Sequence, residues 1–532
     1  MAAPAEHHEF SLTLLACIGL AFGGILLASG FIPPWGLFHD ELYYWANGLR
    51  PGFGYVDHPP LASWILRCFT AILGDGRFAF GIVPALCASG TVVGTGWLAW
   101  RLGAGRFGQA LAGLAAAISP IYQVFFSFYS VNAIELLLWT TAACLLVEIS
   151  RTEEDRLWPW FGVISGLALL NKHTFLLFAG ALAIGLCASP LRAHVRSRRL
   201  WLGVALAFLL SAPNLIWNMV HGWPSLVFYL GRGAGILDAS IGDALAIQIV
   251  GMNPLNLLIW LPGLVCLLFA KPLRPYRPLG IAFLLLFVMI LLSGQRRGDR
   301  IAGAYPIVFA AGAWAWDRWQ APLRSAVRSV LVTLFVVAGF GLMPLGVPIL
   351  SPAGVVAYYE AIDEKPEIEV ADVGSALPLF LLGRLEWERF AAEVIHAWRT
   401  LPANDRDASV ILTPHWVLAA VIEYYGRHEP LPPVVSPHNA YGFWLADAGD
   451  RNIVVAIGTP KEELARYFAT NERIHLFECR ECASFRPDLP VHVSRHPVRP
   501  IRQLLEEWRT YNHSGVPELS PAEWFGANPN DR

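Results

Sequence analysis

The sequence predicts a polytopic α-helical membrane protein of about eleven spans, carrying a soluble α/β domain at its C-terminus. Three observations carry this reading. The 532 residues are 55% hydrophobic and only 15% charged, a membrane profile with a mean hydropathy of +0.47. Charge is unevenly spread, with 37 Asp, Glu, Lys or Arg in residues 1–349 and 43 in the shorter 350–532. Apolar runs of spanning or near-spanning length also recur throughout the first part and stop near 349. The expected units are therefore a membrane domain at 1–349 and a soluble domain at 350–532, long enough to bury its own core.

The run at 11–32 has no basic segment before it and no clear cleavage site after it, which predicts a retained first helix. Further runs follow at 77–100, 107–126, 131–149, 160–189, 200–217, 245–270, 278–293, 301–316 and 329–349. The 160–189 stretch reads as two short helices meeting at Asn171-Lys172-His173. With the N-terminus inside, every connection predicted on the cytoplasmic side carries Lys or Arg, including Arg192, Arg196, Arg198 and Arg199 in one loop. Eleven crossings then place 350–532 outside.

The soluble part alternates between patterns. Helical spacing at 387–401, 415–425 and 460–470, and short apolar strands at 409–413, 452–457 and 473–478, predict a small α/β domain. Residues 501–511 close the ordered portion, and 512–532 read as a flexible end. Six of the eight cysteines lie in or beside apolar runs; Cys479 and Cys482 form a C-x-x-C pair, expected as a local disulfide if the domain is extracytoplasmic. A net charge of −2 and the lack of a basic tract argue against nucleic acid. GAGRFG at 103–108 matches G-x-G-x-x-G, but it follows a membrane helix with no βαβ unit around it, so a tight interhelical turn is expected.

The candidate chemistry starts after the first run, at FHDELYYWANGL (38–49) and YVDHPPL (55–61). Ionisable groups at a membrane boundary are costly and so mark function. Asp40 and Glu41 are adjacent, diverge by about 100° on a helix, and cannot share one role. One can act as a general base while the other supports it; the plainer alternative is an acidic first turn that favours the helix dipole. Asp57 and His58 sit in a rigid turn, His58 being able to donate to phosphate or ligate a metal. On the same predicted face lie Asn132, Glu135, Lys172, Asn218, His221, Arg296, Arg297 and Tyr305. Positive charge on the side that the loop rule leaves poor in it predicts a bound anion, and the set together predicts a site for a sugar attached to a lipid phosphate.

The Asp-Glu pair, the PPL after it, LLNKHTF, PNLIWN…GWPS and QRRGDRIAGAYP stand in an order that resembles the membrane-embedded glycosyltransferases of family 39. These include the protein O-mannosyltransferases and the aminoarabinose transferase of lipid A, with the GT-C fold. The resemblance covers about 1–350, and the C-terminal part is similar to the outer domains of bacterial members. It implies a polyprenyl-phosphate-sugar donor, a lipid, glycan or protein acceptor, and action at the outer face of the inner membrane. Asp40 would then be the base and Glu41 its support. His58, Lys172, Arg296, Arg297 and Tyr305 would hold the donor phosphate; Asp57, Asn132, Asn218 and His221 would line the acceptor or sugar side. Asn132 departs from the family's frequent Asp, leaving Glu135 as a weak substitute. A divalent metal near Glu41 or His58 is possible, without a trustworthy ligand spacing. The rival reading is a transporter or flippase of lipid-linked sugars, which would be expected to show paired halves; no internal repeat is found.

Overall fold

The computed structural model describes residues 8–233, 240–294, 297–319, 324–363, 375–480 and 488–511. Gln295, Arg296, Cys482 and the tail from 512 lie outside the described residues. The chain runs α1 (Leu12–Ser29), α2 (His39–Leu49), α3 (Leu61–Leu73), α4 (Arg77–Arg101), α5 (Arg106–Ala117), α6 (Pro120–Phe126), α7 (Val131–Thr152), α8 (Trp158–Asn171) and α9 (Phe175–Cys187). It continues through α10 (Arg198–Val220), α11 (Pro224–Gly233), α12 (Ile241–Gly251), α13 (Leu257–Phe269), α14 (Arg277–Leu292), α15 (Tyr305–Arg318), α16 (Arg324–Gly341) and α17 (Pro352–Ile362).

Among the described residues, six helices are long and apolar enough to cross a membrane, or eight if two bent pairs each form one span. The eleven expected crossings are not reached on length and composition. Two helix pairs reach spanning length only together and are bent, by 65° between α5 and α6 and by 95° between α12 and the 254–269 segment. Others are short: α8, α9 and α15 have 14, 13 and 14 residues, below the ~20 of a straight span. The break expected at 171–173 is present, since α8 stops at Asn171 and Lys172 is extended.

Small residues let the helices approach closely. A Cβ on Gly162 of α8 would lie 2.0 Å from the carbonyl oxygen of Gly203 on α10, and one on Gly203 would lie 2.3 Å from that of Trp158. The two backbones touch, and no side chain fits between them.

The C-terminal region contains α18 (Leu379–Leu382), α19 (Trp387–Arg399), α20 (Ala403–Asp407), β1 (Ser409–Leu412), α21 (Trp416–Tyr425), β2 (Val434–Val435), β3 (Ile453–Ile457), α22 (Lys461–Leu464), β4 (Phe468–Glu478), β5 (Asp488–Pro497) and α23 (Ile501–Glu507). Its sheet has the order β2-β1-β3-β5-β4, with β1 parallel to β2 and β3, and β5 antiparallel to both neighbours. The expected helix at 460–470 stops after one turn because 468–470 already belong to β4. β5 was not anticipated: its Pro490 and Pro497 argue against a central strand, yet it lies between β3 and β4.

One hydrophobic cluster runs from the membrane helices into α19, α21 and the sheet, and a second, smaller one lies under α23. The two parts are thus packed on each other. Arg50, at the end of α2, makes a two-pronged ion pair with Glu423 of α21, at 3.1 and 2.5 Å, and lies over the Trp444 ring. Tyr424 donates to the carbonyl of Asp75 at 2.6 Å. Cys479 is disulfide-bonded.

Candidate active site

The acid pair opens α2, and its two members face different surroundings. Glu41 is 3% exposed. Its Oε2 accepts from the Phe38 amide at 2.7 Å, closing the first turn, while Oε1 accepts from the Tyr129 amide at 2.8 Å. Burial pushes its carboxyl up; the Arg384 charge and these two N–H groups pull it back. Both oxygens are therefore engaged with backbone, and Glu41 clamps α2 to the start of α7. Asp40 is turned the other way, with a third of its side chain (34%) exposed, and its Oδ1 is 3.3 Å from Nε2 of His39. Of the two carboxylates, Asp40 is the accessible one.

The segment that Glu41 holds leads straight to the cations. Asn132 and Glu135 are one turn apart on α7. Lys172, in the break after α8, donates to Asn132 Oδ1 at 2.6 Å and to Glu135 Oε2 at 2.8 Å. Thr174 donates to the other Glu135 oxygen. The 297–300 turn lies beside them. Arg297 donates from Nε and Nη2 to the two oxygens of Asp299, both at 2.9 Å. Burial raises the Asp299 carboxyl, but Arg297, with Lys172 and Arg300, outweighs it and holds the group below its ordinary value. Lys172, Arg297 and Arg300 thus gather around one buried carboxylate. Arg296, expected at this place, lies outside the described residues.

Two further expected phosphate ligands are tied into the protein. His58 is 2% exposed. Its Nδ1 donates to the Pro59 carbonyl at 2.8 Å and its Nε2 accepts from the Asn47 amide at 2.9 Å, in the assigned orientation. Tyr43, Tyr44 and Tyr55 pack around the ring. Burial lowers its pKa, and both nitrogens are engaged. Tyr305 is fully buried and donates to Gln248 Oε1 at 2.7 Å, while Gln248 Nε2 donates to the Gly298 carbonyl at 2.8 Å. Its hydroxyl braces the basic turn from behind. In both residues the polar side-chain atoms are engaged with protein partners.

Of the expected acceptor-side residues, Asp57 accepts from Tyr43 at 3.0 Å, and the Tyr43 oxygen accepts in turn from the Ala440 amide at 3.2 Å. Asn218 bonds the Asn214 carbonyl and the Ser225 amide at 3.2 and 3.3 Å, fixing the turn after α10. His221 is exposed and stacks on Trp217, with Phe443 of the C-terminal region at 5.2 Å. Residue-type reading missed Arg384, Asp299, Gln248 and Tyr43. Only Asp299 carried a signal, as an acid inside a basic run. Among the described residues, no group of three or more His, Cys, Asp or Glu could hold a metal ion.

Residues 57–217 match the family described as dolichyl-phosphate-mannose-protein mannosyltransferase. The crystal structure of ArnT from Cupriavidus metallidurans in the apo state superposes with a TM-score of 0.58 at 14% identity, covering 90% of this chain and 97% of that one. The chain has the GT-C fold. The same enzyme bound to undecaprenyl phosphate matches equally, at TM-score 0.58 and 15% identity. The lipid A galacturonosyltransferase RgtD of Rhizobium johnstonii is 26% identical over 225 residues, which is 38% of this chain and 46% of that protein. The chain thus aligns with about half the length of that relative.

Proposed function

We propose that this GT-C protein is an integral-membrane glycosyltransferase. It moves a sugar from a polyprenyl-phosphate donor to a lipid, glycan or protein acceptor at the outer face of the inner membrane. One observation carries the reading. The 127–135 segment is tied at one end to the acid pair through Glu41 and at the other to Lys172 through Asn132 and Glu135. An accessible carboxylate and a cluster of cations are therefore held by one short piece of chain.

In this scheme Asp40 accepts the proton of the acceptor hydroxyl or amine as its oxygen or nitrogen attacks the anomeric carbon. The bond from that carbon to the phosphate oxygen breaks on the opposite side, inverting the configuration. Lys172, Arg297 and Arg300 receive the charge that grows on the departing polyprenyl phosphate. Juxtaposing the two substrates can contribute several kcal/mol, ~7–11 at the limit. The description of ArnT as bound to undecaprenyl phosphate, and the lipid A acceptor named for RgtD, support a polyprenyl donor and make an envelope glycolipid the first acceptor to try. The disulfide at Cys479 supports an oxidising, extracytoplasmic side for the C-terminal region.

The test supplies purified protein with radiolabelled polyprenyl-phosphate sugars and an envelope extract. Label should move to acceptor with the parent and stay on donor with Asp40→Asn. Equal transfer by both would remove Asp40 as the base. An alkaline phosphatase fusion after Leu350 should be active, and an inactive fusion would invert the topology.

A further inference from the structure

The first turn of α2 is bracketed by a turn far along the chain. Arg384 follows α18 and is only 3% exposed. Its Nη2 donates to the carbonyl and hydroxyl oxygens of Ser127, at 3.1 and 2.9 Å, and its Nε donates to the Phe380 carbonyl at 3.0 Å. Burial outweighs the pull of the Glu41 carboxylate and brings the guanidinium down to about 10. The backbone of the same turn holds the residues that lead into the acid pair. The Gly36 amide donates to the Arg384 carbonyl and the His39 amide to that of Gly383, both at 3.0 Å. A Cβ at position 383 would come within 2.4 Å of His39 Nδ1 and 2.5 Å of the Phe38 ring. Asp40 therefore sits between one residue bonded to this turn and another facing its charge.

We propose that Arg384 is a positioning residue for the transfer reaction, holding Ser127 and facing Glu41 so that Asp40 is presented in one direction. The C-terminal region then builds the site instead of only covering it. This rests on the reading of Asp40 as the base. The side chain has to be Arg. Its planar fork reaches Ser127 and Phe380 together while keeping a charge toward Glu41, whereas a lysine is a single point charge on a flexible stem. Arg77 also acts on Glu41, but more weakly than Arg384.

The experiment uses the full chain in detergent, with the radiolabelled polyprenyl-phosphate sugar and envelope extract that show transfer by the parent. The variants are Arg384→Gln, Arg384→Lys, Glu41→Gln, Arg384→Gln with Glu41→Gln, and Gly383→Ala, with Asp40→Asn as reference. Arg384→Gln is expected to lower kcat at least tenfold with donor KM within twofold. Arg384→Lys should recover part of it, and combining Gln at 384 with Gln at 41 should lose no more than the worse single variant. Should Arg384→Gln not fold, Gly383→Ala keeps the guanidinium but displaces the turn, and the same kcat-selective loss is expected. Parent kcat in the folded 384 or 383 variants, a loss confined to KM, or losses that multiply would overturn the proposal. If instead Asp40→Asn transfers like the parent, the reading of the base fails by itself. Asp40→Asn inert with Arg384→Gln at parent kcat overturns only the positioning role.

Discussion

Lys172 and Glu135 form an ion pair of 2.8 Å across a helix break, with side chains only 15% and 9% exposed. Removing one partner of such a pair leaves a charge with little water to receive it. Lys172→Ala should therefore raise donor KM at least tenfold and also lower the thermal midpoint. A variant that loses stability but keeps the parent's donor KM would show that the ammonium serves α7 alone.

Asp40 and Glu41 should fail differently. Asp40 is partly exposed, so Asp40→Asn should lose at least a hundredfold in kcat, within the range of general-base catalysis, at an unchanged melting temperature. Glu41→Gln puts an NH2 against one of two backbone donors, Phe38 or Tyr129. It should destabilise by about 1–3 kcal/mol, the cost of an unsatisfied buried group. Thermal melts beside initial rates separate the two.

Asp299 provides a dependence on pH. Its folded pKa lies below the ordinary 3.8 because Arg297 outweighs burial. Its contribution is thus complete above about 3.8 and is lost as pH falls through the folded value. Asp299→Asn should cost about 3–5 kcal/mol at pH 7, the usual penalty for breaking a buried pair. The gap from the parent should narrow below pH 3.8, where the parent's own carboxyl takes up a proton. Melts from pH 7 to 3 would show a constant gap if the pair contributes nothing.

His58 should behave as a structural residue. With Nδ1 and Nε2 held by Pro59 and Asn47, His58→Ala is expected to reduce stability by roughly 2 kcal/mol or more, from the emptied volume and stranded partners. Donor KM in the variant that remains folded should stay near the parent's. A rise confined to KM would return the ring to the phosphate.

What could be read in the sequence follows from what each signal measures. Apolar periodicity measures burial, so it located the membrane segments and β1, α21 and β3. It marked 160–189 and 301–316 as readily as the longer runs, because periodicity does not register that α8, α9 and α15 stop at 14, 13 and 14 residues. Residue type flagged Asp40, Lys172 and Arg297 because charge among apolar residues is conspicuous. Type does not reveal whether a polar atom is already engaged, so His58 and Tyr305 looked available when Asn47 and Gln248 occupy them. Arg384 was invisible for another reason: in a charge-rich stretch one more arginine stands out in nothing, and only folding brings it to Ser127.

The seam between Gly162 and Gly203 has a mechanical consequence. Because α8 and α10 touch backbone to backbone, and His173 donates to Asn214 at 3.0 Å just beyond the seam, the two helices form one strut. Lys172 stands at the end of one limb, and the Trp217–His221 stack that meets Phe443 stands at the end of the other. The backbone contact at Gly203 and the His173–Asn214 bond couple the two ends. A displacement of the α10 end beside Phe443 would therefore be felt at Lys172 through the seam and the His173–Asn214 bond.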